Sequence, residues 1–256
     1  MSIHPTAIVD ESAQLGDEVV VGPYSIIRGE AIIEDGVEIH AHALIGENTI
    51  LHQHCKVFQG AVVGEVPQDL KFKGEDTFTE IGPNTVIREY ATIHRGTDDR
   101  LKTIVGHDCL IMAYVHIAHD CLVGDHVILA NAVNLAGHVT IEDYASIGGL
   151  VPIHQFVRIG RHSFVGGGVR VTKDVPPFVL ASSEPLAYYG LNAVGLRRRG
   201  FENETRTLIK KAYRLIFRSE YNTSQAVSKI KEELPQTEEI QQIIQFVENS
   251  KRGLIH

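Results

Sequence analysis

Six consecutive hexapeptides, VGHDCL IMAYVH IAHDCL VGDHVI LANAVN LAGHVT (105–140), share one pattern. Each begins with Val, Ile or Leu, and its fifth residue is Cys or Val. A period of six matches neither the 3.6-residue repeat of a helix nor the two-residue alternation of a half-buried strand. It is typical of a parallel β-helix, in which each hexapeptide forms a short strand and a turn. Three hexapeptides complete one coil, so residues 18 apart are expected to stack.

The same repeat extends in both directions from this stretch. The aliphatic first positions run without exception from Ile3 to Val63, from Ile81 to Ile93 and from Val105 to Val171. We predict a mainly β fold, with a left-handed parallel β-helix over residues 1–185. The interruptions near 65–80 and 97–103 are expected to be loops that leave the prism. Such loops on a rigid scaffold often carry function.

The pattern stops at Pro176 and Pro177, and the composition then becomes helical. A small C-terminal α-helical domain is predicted over residues 186–256. Apolar residues at helical spacing predict three helices, within 203–219, near 224–234 and within 237–250. Asn203 and Thr237 are the expected caps of the first and third helices.

Composition and charge exclude several classes of protein. The formal net charge is -8, which does not suit a nucleic-acid partner. No apolar run reaches the roughly 18 residues of a transmembrane helix, and MSIHPTAIVDES (1–12) does not resemble a secretory signal. The cysteines Cys55, Cys109 and Cys121 all occupy the inward fifth position and lack CxxC spacing. We therefore expect buried thiols, a cytoplasmic location, no membrane insertion and no cofactor.

Several histidines share one face of the predicted coils. The hexapeptides that begin at 117, 135 and 153 stack, and they contain His119, His138 and His154, with His116 at the edge. Converging imidazoles suit either a metal site or a general base. Asp120 follows His119 and can orient its ring, while the N–H of Gly137 can face an oxyanion. These neighbours favour acyl transfer over zinc.

The other histidines show no comparable grouping at 18-residue spacing. We expect them to be ordinary side chains without a shared function. They are His42, His52, His54, His107, His126 and His162.

Together with the hexapeptides, several segments resemble the acyl-(acyl-carrier-protein)–UDP-N-acetylglucosamine O-acyltransferases, the first enzymes of lipid A synthesis. They are GEVPQDLKFKGE (64–75), TIHRGT (92–97), HIAHDC (116–121), LAGHV (135–139), HQF (154–156), DVPPF (174–178) and GLNAVGLRRRGF (190–201). The resemblance covers essentially the whole chain. It implies a homotrimer with active sites between neighbouring β-helices. The substrates it implies are a 3-hydroxyacyl thioester on acyl carrier protein and UDP-N-acetylglucosamine.

The resemblance also implies roles for individual residues. His119 matches the general base, Asp120 its partner and Gly137 the oxyanion donor. Substrate-binding positions match Gln68, Asp69, Leu70, Lys71, His116, His138, His154, Gln155, Asn192, Arg198 and Arg199. Gly167 matches the position that measures the acyl chain, and its small size suggests a long chain, although Phe164 can shorten the groove.

Two positions depart from the family pattern, and other functions remain open. Val194 stands where some relatives carry a glutamate, and Pro185 where some carry a histidine. The alternatives are acyl transfer to a 3-amino UDP-sugar, the related N-acyltransferase, a γ-type zinc carbonic anhydrase and a non-catalytic scaffold. Repeats that begin at Ile3 argue against the extra N-terminal domain of the N-acyltransferase, and LRRRGF (196–201) argues against the carbonic anhydrase.

Overall fold

The protein, described over all 256 residues by a computed structural model, is a left-handed parallel β-helix with helices at its C-terminal end. Its strands form three sheets, the sides of a triangular prism. The first sheet contains β1 (Ser2–Ile3), β4 (Val20–Val21), β7 (Glu38–Ile39), β10 (Lys56–Val57), β13 (Val86–Ile87), β16 (Leu110–Ile111), β19 (Ile128–Leu129), β22 (Ser146–Ile147), β25 (Phe164–Val165), β26 (Val179–Ser182) and β27 (Ala187–Leu191). The second contains β2 (Ile8–Val9), β5 (Ile26–Ile27), β8 (Leu44–Ile45), β11 (Val62–Glu65), β14 (Thr92–His94), β17 (His116–Ile117), β20 (Asn134–Leu135) and β23 (Pro152–Ile153). The third contains β3 (Gln14–Leu15), β6 (Ile32–Ile33), β9 (Thr49–Leu51), β12 (Phe78–Ile81), β15 (Lys102–Val105), β18 (Leu122–Val123), β21 (Thr140–Ile141) and β24 (Arg158–Ile159).

The chain turns three corners in each coil. The first corner joins the first sheet to the second and includes Tyr114. The second corner joins the second sheet to the third and includes Asp120. The third corner joins the third sheet back to the first and includes His126 and Tyr144. Residues on different corners therefore lie on different edges of the prism.

Strand pairing shows where the regular coil is interrupted. Paired residues are 18 apart at the start, as in Ser2 with Val20. The spacing grows to 30 for Lys56 with Val86 and to 24 for Val86 with Leu110. The first interruption therefore adds about two hexapeptides to a coil and the second about one. The extra residues form loops after β11 and after β14, both at the second corner.

The aliphatic position of each hexapeptide points into the prism. Residues such as Ile45, Ile117 and Leu135 are fully buried. Each of these side chains contributes about 1.5–3 kcal/mol through removal from water. The three cysteines are free and buried, as predicted, and burial raises the pKa of Cys55 and of Cys121 to about 12. Burial likewise raises the pKa of Cys109 to about 11, so burial favours the protonated thiol at all three positions.

Four helices follow the strands: α1 (Ala193–Arg198), α2 (Asn203–Phe217), α3 (Thr223–Glu233) and α4 (Glu238–Glu248). The three predicted helices are confirmed, but α1 was not predicted, because six residues are too few for a clear apolar period. Glu202, not Asn203, is the N-cap of α2, and the Thr237 side chain makes no capping hydrogen bond. The capping box is on α3, where Asn222 and Gln225 bond each other's backbone N–H. None of these helices has the length and apolar composition that crossing a bilayer requires.

The first sheet continues past the last hexapeptide. β26 pairs in parallel with β25, and β27 pairs antiparallel with β26. Tyr213 of α2 is fully buried, and its hydroxyl donates to the carbonyl of Pro177. The helices are thus joined to the prism by a shared sheet and a buried hydrogen bond. The domain boundary at residue 185 remains a prediction.

A column of stacked rings on the third corner gives a testable pH dependence. His162 lies between Tyr144 and Phe178, and its Nδ1 is buried without a hydrogen-bond partner. Burial lowers the pKa of His162 to about 4, whereas an unfolded histidine has a pKa of about 6.5. The unfolded chain therefore binds the proton first, and the free energy of unfolding should fall as the pH drops from about 6.5 to about 4.

His162→Phe should reduce this slope, by at most about 1.4 kcal/mol per pH unit, because phenylalanine keeps the stack and cannot be protonated. Urea unfolding at pH 7 and pH 5, followed by circular dichroism, measures the slope. An identical slope in the variant and the wild type would contradict the assignment to His162.

Candidate active site

The second corner holds the histidines that the sequence placed on one face. Asp120 and His138 both have left-handed backbone conformations, with φ of 59° and 63°. This conformation is uncommon outside glycine and is maintained here by the regular corner geometry. It brings the rings of His119 and His138, from adjacent coils, to a centroid distance of 5.1 Å, edge to face.

His119 and Asp120 form a directional hydrogen bond. Nδ1 of His119 lies 2.7 Å from Oδ2 of Asp120. An ionised carboxylate can only accept, so Nδ1 carries the proton and donates it. Nε2 of His119 then keeps its lone pair and can accept a proton. The His119 side chain is 14% exposed, which leaves room for a reactant.

Asp120 is held in the ionised form by hydrogen-bond donors on the second external loop, which interrupts the repeat near 97–103. Its carboxylate is fully buried and accepts hydrogen bonds from the Thr97 N–H at 3.0 Å and the Thr97 hydroxyl at 2.7 Å. Burial alone would raise the pKa of Asp120. The hydrogen bonds from His119 and Thr97 outweigh burial and lower the pKa to about 2. Arg100 also donates to the backbone carbonyl of Asp120, at 2.8 Å.

Gly137 lies directly against the ring of His119. A Cβ at position 137 would be 2.6 Å from both Cε1 and Nε2 of His119. The N–H of Gly137 donates to no other backbone group of the chain. The absence of a side chain therefore leaves open the space in front of Nε2, with an unused donor beside it.

The first external loop reaches the same corner. Oδ2 of Asp69 lies 4.0 Å from Nε2 of His119, and the other carboxylate oxygen accepts from the N–H of Lys71. Gln68, Leu70 and Lys71 are exposed around it. Of the four predicted loop residues, Asp69 is therefore the one whose carboxylate pairs with His119.

His116 lies on the strand that leads into the corner and is held in the neutral form. Its Nδ1 is 2.8 Å from the hydroxyl of Thr92, and its ring meets that of His94 edge to face at 5.1 Å. Burial and, to a lesser extent, the nearby rings of His94 and His119 lower the pKa of His116 to about 4. His94 was not singled out from the sequence, although it lies in TIHRGT.

His138 lines a groove of about 550 Å³ that runs from the second corner to the C-terminal segment. Four cations line the same groove, together with the carboxylate of Asp174: Arg100, Arg158, Lys251 and Arg252. Sequence analysis missed them because they belong to separate segments and form no local motif. His154 and Gln155 lie one coil further, exposed, with Nδ1 of His154 3.2 Å from the carbonyl oxygen of Gln155.

The remaining predicted residues lie elsewhere on the prism. A groove of about 970 Å³ is lined by Phe164 of β25 and by Asn192, Arg198 and Arg199 beside α1. Asn192 caps α1 through the N–H of Gly195, and Arg199 lies over the ring of Tyr144 at the third corner. Val194 lines the same groove.

Gly167 belongs to neither group. It is at the first corner, where an added Cβ would be 3.1 Å from the carbonyl oxygen of Gly149.

Within one chain the structure gathers six of the predicted residues: His116, His119, Asp120, Gly137, His138 and Asp69. It does not bring them together with Asn192, Arg198 and Arg199.

Geometry alone does not separate a general base from a zinc site. The ligand atoms of His119, Asp120 and His138 lie within 4.8 Å of one another. Both chemistries use imidazole nitrogen and carboxylate oxygen. Relatives of the chain distinguish the two.

Comparison with known proteins gives full-length matches. The profile described as Udp N-acetylglucosamine O-acyltransferase, domain 2, matches residues 174–255, and that of bacterial transferase hexapeptide repeats matches 12–47 and 102–137. The acyl-(acyl-carrier-protein)–UDP-N-acetylglucosamine O-acyltransferase of Sulfurihydrogenibium sp. (strain YO3AOP1) is 54% identical, with coverage of 99% of this chain and 94% of that protein. The enzyme of the same name from Thermodesulfovibrio yellowstonii is 49% identical, with coverage of 98% of each.

Solved structures give the same result. The UDP-N-acetylglucosamine acyltransferase of Bacteroides fragilis superposes with a TM-score of 0.98 at 44% identity, covering 99% of this chain and 100% of that one. These matches favour the O-acyltransferases over the carbonic anhydrases and the N-acyltransferases. The chain belongs to the acyl-(acyl-carrier-protein)–UDP-N-acetylglucosamine O-acyltransferase family.

Proposed function

We propose that the protein transfers a 3-hydroxyacyl chain from acyl carrier protein to the 3-hydroxyl of UDP-N-acetylglucosamine, the first step of lipid A biosynthesis. The observation that carries the proposal is the second corner. There His119 donates Nδ1–H to a buried carboxylate and keeps Nε2 free beside the unused N–H of Gly137. These are the parts that acyl transfer to a hydroxyl requires.

The reaction begins with Nε2 of His119 removing the proton of the sugar 3-hydroxyl. The oxygen attacks the thioester carbonyl, and the N–H of Gly137 donates to the resulting oxyanion. Collapse of the tetrahedral intermediate breaks the C–S bond, and the imidazolium returns its proton to the leaving sulfur. Asp120, ionised with a pKa of about 2, stabilises the imidazolium between these steps.

Substrate binding is assigned by position. His138 and Asp69 lie beside His119 and contact the sugar, together with His116 on the adjacent strand. Gln68, Leu70 and Lys71 bind substrate from the first external loop. His154 and Gln155 extend the surface by one coil. Arg100, Lys251 and Arg252 supply the positive charge that an acidic carrier protein or its phosphate needs. Asn192, Arg198 and Arg199 bind the nucleotide diphosphate, while Gly167 and Phe164 limit the acyl chain.

The homotrimer that the family resemblance implies is supported by where these groups lie. His119 is on the second corner, whereas Arg198 and Asn192 line a groove on the first sheet. We assign the two sets to different copies, so that one substrate contacts His119 of one copy and Asn192 and Arg198 of its neighbour. Closed cyclic symmetry then creates three equal sites between subunits. A cytoplasmic location agrees with three free, buried cysteines.

Mixed trimers test the shared site. When His119→Ala and Arg198→Ala chains assemble at random in equal amounts, about one quarter of the sites receive an intact residue from both neighbours. Activity should therefore rise well above that of either variant alone. A mixture that is no more active than the separate variants would show that both residues serve the same chain's site.

Acyl transfer itself is tested with a series of 3-hydroxyacyl carrier proteins of different chain lengths and UDP-N-acetylglucosamine as acceptor. Ester formation supports the proposal, and the preferred donor reports the length that Gly167 and Phe164 allow. The 3-amino analogue of the sugar is the parallel acceptor. Transfer to the amine alone would replace the proposed reaction with amide synthesis.

Thr97 offers a test of how Asp120 is positioned. Thr97→Val removes a hydrogen bond to a buried carboxylate, which is worth about 1.5–3 kcal/mol. We expect kcat to fall by about tenfold with little change in KM, because Asp120 acts on the base and does not touch substrate. Thr97→Ser keeps the hydroxyl and should restore kcat. Equal losses in both variants would show that the threonine methyl group, not the hydrogen bond, matters.

A further inference from the structure

A second cluster of imidazoles and carboxylates lies on the third corner, on a different edge of the prism from His119. His107 follows β15, and His126 follows β18 in the next coil. The expectation that these two histidines lack company was wrong. The expectation rested on residues exactly 18 apart, which stack directly. His107 and His126 are 19 apart, so His126 is one position further along the turn that stacks on His107.

Two carboxylates complete this cluster. Nδ1 of His107 lies 2.7 Å from Oδ2 of Asp108, and Nε2 lies 3.0 Å from Oδ2 of Asp125. The rings of His107 and His126 meet edge to face at 4.9 Å. One ligand atom each from His107, Asp108 and His126 lie within 4.8 Å of one another.

We infer that His107, Asp108 and His126 bind a divalent transition-metal ion of the zinc type, with water in the remaining position. Two imidazoles and one carboxylate are a ligand set that Zn²⁺, Co²⁺ and Ni²⁺ favour, whereas Mg²⁺ and Ca²⁺ prefer oxygen alone. The spacing of Nδ1 and Oδ2 has to open by about 0.6 Å, to roughly 3.3 Å, for both atoms to lie about 2.0–2.1 Å from one tetrahedral ion.

Asp125 supplies the orienting carboxylate that metal-binding histidines commonly have. It accepts from Nε2 of His107, so the ion replaces the proton shared by Nδ1 and Asp108, and that proton is released to solvent. Its other oxygen accepts from the backbone N–H of His107 at 3.0 Å, so one carboxylate fixes both the ring and the main chain.

The backbone holds the ligands in place before any ion binds. The N–H of His126 donates to the carbonyl of His107 at 2.9 Å, which ties the two turns together. The ring of His126 stacks on Tyr144 with centroids 4.6 Å apart. A site on such fixed elements loses little conformational freedom when it binds an ion.

Charge also distinguishes this cluster from an ordinary ion pair. His52 likewise lies between two carboxylates, but Lys102 pairs with one of them and no second imidazole joins the group. At His107, neither Asp108 nor Asp125 forms a salt bridge with a lysine or arginine. Two carboxylates without a lysine or arginine partner favour a cation.

Calorimetric titration of the metal-stripped full chain with ZnCl2 tests the site, with Co²⁺ absorption as a spectroscopic readout of the ligands. We compare the wild type with His126→Asn, with His138→Asn in the His119 cluster, and with His54→Asn. The last is the matched control, an exposed histidine on the same corner outside the cluster. Thermal unfolding in EDTA verifies that each variant is folded.

The inference expects binding by the wild type, at least about tenfold weaker binding in His126→Asn and unchanged binding in His54→Asn. If the wild type binds two ions and His138→Asn loses only one of them, that ion belongs to the His119 cluster, and the inferred site at His107 and His126 is still supported. Absence of binding by the wild type, or equal affinity in the wild type and His126→Asn, would overturn the inference. So would a single bound ion that disappears only in His138→Asn.

Discussion

His119→Ala should lower kcat for acyl transfer by about 10²–10⁴-fold, the range associated with loss of a general base. The structure gives the physical reason. Nδ1 is already committed to Asp120, so Nε2 is the free basic nitrogen of the ring and faces the space beside Gly137. Initial rates with saturating acyl carrier protein and sugar nucleotide measure the effect, and circular dichroism verifies the fold.

His42→Ala is the matched control for this variant, because His42 is an exposed histidine on the first corner, far from the second. It should retain the kcat of the wild type. If His119→Ala kept activity within about threefold of the wild type, another group would have to remove the proton.

Gly137→Ala should lower kcat by about 10²-fold while the protein stays folded. The new methyl carbon would lie 2.6 Å from Cε1 and Nε2 of His119, which is too close for two non-bonded atoms. The imidazole must therefore rotate or shift, and a displacement near 1 Å at a reacting group can cost this much. The backbone of Gly137 does not have a positive φ, so alanine introduces no backbone strain there.

Gly149→Ala provides the comparison for Gly137→Ala. Gly149 is on the first corner, also lacks a positive φ, and its added Cβ would be no closer than 3.2 Å to the carbonyl oxygen of Asn131. We expect a small change in stability and a kcat near that of the wild type. Equal activity of Gly137→Ala and the wild type would show that the His119 ring has more freedom than the structure indicates, and would contradict a tightly fitted base.

The fold was predictable because each hexapeptide satisfies a local rule and stacking repeats it. An aliphatic residue such as Ile117 must point inward at every sixth position, and wherever the repeat is uninterrupted the same register pairs each strand with the one 18 residues away. The short helix α1 and the capping box of α3 were not predicted, and the N-cap of α2 was predicted one residue too late. Their signals cover only a few residues, and neighbouring polar side chains compete for the same role.

The sequence by itself determined the coil, its 18-residue register and the common face of His119 and His138, because all three follow from a constant period. The tertiary structure alone decided which donors reach that face. Thr97 and Arg100 come from a segment where the period fails, and the path of such a segment depends on packing that no local pattern encodes. It also decided that His107 meets His126 and that Arg198 lies away from His119. Side-chain direction at a corner is set by backbone conformation and by stacking on the next coil, and both exist only once the coils are assembled.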